Sequence, residues 1–306
     1  MSDEAPEAPK HRRRTDLIGV GFVLVASGVA AYALRGKGSE VVDAAATIGP
    51  VRVVAAAVLA MAGLLATAEV WRRCLIALGA SASPGAARQI FFPAQVGKYL
   101  PGSVWPFLAQ ARFARRHGIQ ASTALLSGAV FLAIHAASAA PVAALLLVGE
   151  RTTISRYGWA VLCAPLALVF LHPRVLNALV RRLPRPTDAE PPRLGWAQIA
   201  HPLAWMVPAW AAYGAAAFVL VQPLTTELSR VALASTGAFA LSWLVGLLFV
   251  IAPAGIGARE AVFVLAMTPA IGSVRSTSVA LLLRVCHTAA DLVLAVAFAQ
   301  RSSPRA

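Results

Sequence analysis

The chain has 306 residues, 58% of them hydrophobic and only 13% charged, with a mean hydropathy of +0.70. This composition excludes an ordinary soluble globular domain and describes a polytopic membrane protein, built from helices that satisfy their own backbone hydrogen bonds in lipid. The formal net charge of +14 does not mark a nucleic-acid binder, because the arginines sit in short loops between apolar stretches rather than on one soluble face.

One bilayer crossing takes about 20 apolar residues. Spans are expected at Leu17 to Leu34, Val51 to Ala68, Ser122 to Val148, Tyr157 to Leu171, Leu203 to Val221, Val231 to Ile251 and Thr277 to Ala299. The fold class is all-α, with about seven to eight transmembrane helices and two Pro/Gly-broken re-entrant segments in an internal repeat. Residues 1–16 form a tail and 17–299 the membrane domain (first half 17–148, connector 149–202, second half 203–299), followed by a tail at 300–306. The Pro-rich, charged run RRLPRPTDAEPPRLGW is the best internal boundary. KHRRR precedes the first span, and Ala31-Tyr32-Ala33 offers a cleavage-like site. The apolar stretch is long for a signal peptide, so an uncleaved anchor is expected. Lys10 to Arg14, Arg72, Arg73, Arg88, Arg112, Arg115, Arg116 and the Arg174 to Arg193 loop then fall on one side, and the positive-inside rule makes that side, and the N-terminus, cytoplasmic. The expected location is the cytoplasmic (inner) membrane.

Cys74, Cys163 and Cys286 are too few and scattered for a disulfide framework or a zinc site. No cofactor, metal or ATP-binding motif is present; GKYLPGS has the wrong order for a phosphate-binding P-loop. Neither a cofactor nor a nucleic-acid partner is expected.

The first broken segment is QIFFPAQVGKYLPGS. Its apolar run is too short to cross a bilayer and breaks at Pro101-Gly102, beside Lys98 and Tyr99, so it reads as a re-entrant arm. After the break Ser103 can cap a helix with Pro106 in its first turn, running through Arg112 to Arg116 and stopping at Gly118. Its N-terminus would lie within the membrane, where free N–H groups and Lys98 favour an anion such as a phosphate. The alternative is a tight loop with Lys98 reaching to the interface.

A second segment, FVIAPAGIGAREAVFVLAMTPAIG, breaks at Pro253 and Gly255 and restarts with Arg259 and Glu260 in its first turn. Gly255 and Gly257 allow close backbone approach to a ligand, and Arg259 can hold an anionic headgroup bidentately. Alternatively, Arg259 and Glu260 form a local pair. Two such breaks in corresponding places point to a transporter-like central site.

In the last span Arg284, His287 and Asp291 share one helical face within LLLRVCHTAADLVLAV. Intramembrane charges face polar interiors or partners. Arg284 and Asp291 are two turns apart, so each should meet another helix, with Glu69, Lys98, Arg259 and Glu260 as candidates; the stripe should face the broken segments. His135 reads as a packed, hydrogen-bonded core histidine.

GKYLPGSVW with the Arg-rich helix ending in HGI, PAGIGARE, and the LLLR…D span together resemble the flippase-like family related to the membrane region of lysylphosphatidylglycerol synthases. The similarity runs from about Thr15 to Ala299. The resemblance implies re-entrant helices and a role in handling or moving lipids, and it carries over to Lys98, Tyr99, Pro101, Gly102, Pro253, Gly255, Gly257, Arg259, Glu260 and Arg284. With Arg112, His287 and Asp291 these form the candidate substrate-binding set. Where relatives open the helix after the first motif with an acidic-basic pair, this chain reads ASTALLSGAV, a departure that leaves its substrate open. The chain stops just after the last span, so lysyl transfer and enzymatic activity are not expected. Two readings stay open: an ATP-independent flippase for an anionic phospholipid or polyprenyl-phosphate precursor, or a non-transporting membrane partner of a glycosyltransferase or other envelope-synthesis enzyme.

Overall fold

A computed structural model of the chain describes residues 38–100, 104–147, 169–182, 193–249 and 253–299. In chain order the α-helices among the described residues are α1 (Gly38–Ile48), α2 (Pro50–Ala77), α3 (Pro84–Gln95), α4 (Trp105–Arg115), α5 (Ala121–Ala143), α6 (Pro173–Arg182), α7 (Trp196–Val221), α8 (Leu228–Leu248), α9 (Ala258–Ile271) and α10 (Ser273–Ala299). A short 3₁₀ turn at Pro253–Gly255 falls on the second expected break, and one at Val96–Tyr99 just precedes the first, whose Pro101 and Gly102 lie outside the described residues. No strand occurs among the described residues.

Five helices, α2, α5, α7, α8 and α10, are long and apolar enough to cross a membrane. They coincide with five of the seven expected spans. The expected span at Leu17 to Leu34 lies outside the described residues, as does Tyr157 to Leu171 except for its last three positions. α7 starts at Trp196, well before Leu203, and continues through Pro202 and Pro208. The Arg174 to Arg193 segment is not simply a loop. α6 buries Leu176 and Val180, one turn apart, while the Asn177 amide donates to the Leu194 carbonyl at 2.8 Å and its oxygen accepts the Leu194 N–H at 2.9 Å. α1 also had no counterpart among the expected spans.

Helices that are apolar all round have no amphipathic face to orient them, so close approach at small residues decides their packing. α2 and α7 make the most extensive helix pair. A Cβ at Gly63 would collide with the Tyr213 ring, and the Tyr213 and Thr67 hydroxyls share a hydrogen bond of 2.9 Å at that crossing. α8 packs on α7 and α5, and α9 lies between α8 and α10.

α3 and α4 pack against each other as a hairpin with the Val96–Tyr99 turn at its tip. Arg72 Nη1 donates to the Ala82 carbonyl at 3.0 Å, fixing the base of this hairpin to the C-terminal end of α2. α4 begins at Trp105 with Val104 in the N-cap position; Ser103, the expected cap, lies outside the described residues. The second break differs in form. α8 runs to Leu248, leaving only residues 249–252 before the next turn, so no short helix precedes that break as α3 precedes the first. The two 3₁₀ turns nevertheless touch each other.

Two outcomes are expected. Gly63→Val should lower the melting temperature, because overpacking at a tight crossing costs about 1–3 kcal/mol; an unchanged melting temperature would show that the crossing is loose. Cysteines introduced at positions 88 and 116 should react with an impermeant reagent from the same side of the membrane, since both lie at the base of the α3–α4 hairpin.

Candidate functional site

α10 joins the two breaks. Asp291 is only 3% exposed, and its Oδ2 lies 2.6 Å from Lys98 Nζ and accepts a hydrogen bond from the Tyr99 hydroxyl at 2.8 Å. A buried carboxylate is tolerable only with such partners. Two turns earlier on the same face, Arg284 Nη1 donates to the Ala254 carbonyl at 3.0 Å and lies 3.6 Å from Glu260 Oε1. Glu260 Oε2 in turn accepts the Gly257 N–H at 2.6 Å, closing the first turn of α9. The charged stripe thus faces the broken segments, as its spacing implied. Glu69 is not among its partners; it is held by Arg72 and Arg73 at 2.6 and 2.7 Å.

The second turn is strained and tightly packed. Ala254 has φ 50, with Gly255 at 67 and Gly257 at 86. A side chain at Gly255 would meet the Gly246 backbone of α8 at 2.8 Å. Gly255 therefore permits a close approach to a neighbouring helix, and it also borders the cavity described below. Gly246 serves a second neighbour as well: a Cβ there would collide with the aliphatic stem of Arg259, which crosses it to set the guanidinium 5.6 Å from the Phe239 ring centroid.

Arg259 stands apart from the other two cations around the breaks. Among the described residues it makes no ion pair, while Lys98 and Arg284 take Asp291 and Glu260. It lines a partly open cavity of about 200 Å³ together with Lys98, Gln95, Gln110, His135, Tyr213 and Gly255. Phe91, Phe107, Phe131 and Trp243 supply apolar walls. Beside it, a smaller space of about 30 Å³, bounded by Arg259, Glu260, Arg284, His287 and Ser242, has room for a water-sized group. Arg284 Nη2 and His287 Nε2 are buried there with no hydrogen-bond partner among the described residues, while His287 Nδ1 lies 2.9 Å from the Leu283 carbonyl and its ring stacks on Phe239.

Of the expected set, Lys98, Gly255 and Arg259 reach the larger cavity and Glu260, Arg284 and His287 border the smaller one. Tyr99 and Asp291 are engaged with each other. Gly257 caps α9 and Pro253 opens the strained turn. Pro101 and Gly102 lie outside the described residues. Arg112 is exposed and does not line the cavity; on α4 it stands about 200° around from Gln110, which is buried toward it. His135 is packed as expected, stacked at 3.8 Å on Trp243, but among the described residues neither ring nitrogen has a hydrogen-bond partner. Gln110 and Gly246 were missed. A single glutamine in an Arg-rich helix and a glycine in an apolar one give little signal until their neighbours are known.

These features define a polytopic α-helical membrane protein whose interior holds a cation-lined cavity where two broken segments meet. The family model described as the lysylphosphatidylglycerol synthase TM region matches residues 17–295, and the chain belongs to that family. This places it among membrane domains related to lipid handling. No curated protein matches the chain.

Asp291→Asn should destabilise the folded protein by about 2–3 kcal/mol, somewhat less than a fully buried pair because Lys98 retains 27% exposure. Adding Lys98→Met should recover part of that loss; no recovery would mean that the pair does not couple the first break to α10.

Proposed function

We propose that this protein moves an anionic phospholipid or lipid-linked precursor across the cytoplasmic membrane without hydrolysing ATP and without catalysing a covalent step. The headgroup occupies the Arg259 cavity while the acyl chains stay in the bilayer. In this reading the N-terminus is cytoplasmic, the α3–α4 hairpin enters and leaves from the cytoplasmic side, and the break before α9 opens the second re-entrant segment.

The observation that supports this is the surplus cation. Among the described residues around the breaks, Lys98, Arg259 and Arg284 face two carboxylates, Glu260 and Asp291, and the guanidinium without an ion pair there is the one that opens on the larger cavity. Burying an unpaired charge is costly, and a site that keeps one is complementary to a ligand of opposite sign. Arg259 lies in the first turn of the 14-residue α9, so the positive end of that helix reinforces the same preference. Lys98, still 27% exposed, is placed to share an incoming phosphate while remaining near Asp291. Family membership in a lipid-handling group agrees with this chemistry.

The test is translocation of a fluorescent phosphatidylglycerol in proteoliposomes, read by quenching from outside. Wild-type protein should accelerate it. Arg259→Gln should reduce the rate at least about tenfold, the equivalent of one charge-assisted hydrogen bond. Arg230→Gln should leave it unchanged, because the Arg230–Glu227 pair of 2.8 Å lies at the start of α8 and does not line the cavity. A wild-type rate equal to that of empty vesicles would favour the non-transporting reading, in which the domain serves as partner to an envelope-synthesis enzyme.

A further inference from the structure

The ten residues of α6 make about 15 Å of helix, half the thickness of a bilayer core, so this element does not cross the membrane. Its sequence PRVLNALVRR sorts by helical angle instead. Val175, Leu176, Leu179 and Val180 fall within an arc of about 140°, while Arg174 and Arg181 lie across from it and Arg182 at its edge. The protein uses only half of the apolar arc. Leu176 and Val180 are buried, whereas Val175 and Leu179 are each 37% exposed. The flanks add to the open apolar surface: Val169, Phe170 and Trp196 are all more than half exposed, and Trp196 stands edge-on to His172 at 5.2 Å.

The fold also sets the level at which α6 lies. Its partner Leu194 leads directly into α7, whose Tyr213 meets Thr67 of α2. The far end of α7 runs into the Gln222–Leu224 turn, which touches α1, the helix that precedes α2. α2 and α7 are therefore antiparallel. The start of α7, with α6 beside it, lies at the C-terminal end of α2, where Arg72 secures the base of the α3–α4 hairpin. Arg112, Arg115 and Arg116 are exposed at that base, and Arg174, Arg181, Arg182 and Arg193 are exposed on α6 and its flank. No Asp or Glu occurs among the described residues 169–182 and 193–196.

We infer that α6 is a membrane-surface helix that binds anionic lipids of the leaflet at the hairpin base. Phe170, Val175, Leu179 and Trp196 sit at the boundary of the acyl chains, and Arg174, Arg181 and Arg182 meet the lipid phosphates. This surface lies outside the cavity and does not depend on what the cavity holds. A helix with one apolar edge and arginines across from it lies in the plane of the interface, held by apolar area and by attraction to anionic lipid. An exposed Trp suits the headgroup level, and guanidinium groups take phosphate in bidentate fashion. The roll of the helix is set in advance by buried Leu176 and Val180 and by the paired Asn177–Leu194 hydrogen bonds, so little order is lost on binding. A soluble acidic protein would meet the same arginines, but the apolar edge is narrow and belongs to a helix packed against membrane-spanning α5, at the level where lipid already lies.

The experiment uses the full chain, with its three cysteines replaced by alanine, in nanodiscs of phosphatidylcholine and phosphatidylglycerol. Spin labels on cysteines introduced at positions 175 and 179 should be accessible to oxygen and shielded from a water-soluble nickel reagent, and a label at 181 should show the reverse. Equal nickel accessibility at all three positions would put α6 off the membrane and overturn the inference. A fluorophore at position 178 then reads lipid choice. Nitroxide-labelled phosphatidylglycerol should quench it at least about threefold more than nitroxide-labelled phosphatidylcholine at the same mole fraction, given the attraction of each surface arginine to anionic lipid. Replacing Arg174, Arg181 and Arg182 together by Gln should bring the two lipids level without changing the melting temperature. Arg259→Gln should leave the preference at position 178 in place, which separates this surface from the cavity. Equal quenching by the two lipids in the wild type, or a preference that survives the triple replacement, would overturn the anionic-lipid assignment.

Discussion

Charge pairing along one face of α10 organises the membrane interior of this protein. Asp291 takes Lys98 and Tyr99 from the first broken segment, and Arg284, two turns away, takes Glu260 and the Ala254 carbonyl from the second. Charged groups at this depth are tolerated only with partners. Each turn therefore has a fixed seat on the same helix, about 10 Å apart at 1.5 Å per residue. The strained Ala254, at φ 50, persists because Arg284 holds its carbonyl while Gly255 packs against the Gly246 backbone.

That pairing is incomplete, and the residue it leaves out is held in place by packing. Among the described residues Arg259 makes no ion pair with a carboxylate, yet its position is closely determined. Its stem crosses the bare surface of Gly246, its guanidinium lies by Phe239, and its backbone belongs to the first turn of α9, whose geometry Glu260 fixes by accepting the Gly257 N–H. A cation oriented before any ligand arrives loses little on binding. The opposite wall is equally rigid, with Gln110 beside Gly128 and His135 against Trp243. The cavity thus combines a charge of one sign with unmet hydrogen-bonding capacity, both held by side chains that have little freedom to move.

Much of this could be read from the sequence, for identifiable reasons. Five spans were recognisable because about 20 apolar residues with few charges have few alternatives to crossing a bilayer. The breaks were visible as Pro and Gly inside apolar runs, and the orientation of Arg284, His287 and Asp291 followed from helical periodicity and the cost of leaving charges in lipid. Identity of the ion-pair partners was not fixed by those rules: Glu69 satisfied them as well as Glu260 did, and only the fold shows it bound to Arg72 and Arg73. Arg112 was placed in the site for its charge, whereas the rotation of α4 presents Gln110 to the cavity instead. His135 was read as satisfied because buried histidines usually are, and its orphaned nitrogens became apparent only with its neighbours in view. Short α1 and α6 gave no span-length signal.

The central claim is that the unpaired Arg259 marks the seat of a lipid phosphate. It is tested most directly by an experimental density map of the protein in nanodiscs rich in phosphatidylglycerol. The account predicts headgroup density in the cavity, with the phosphate within hydrogen-bonding distance of Arg259 and near Lys98. A well-ordered map in which the cavity holds only water and lipid headgroups lie solely around the outer surface would contradict it.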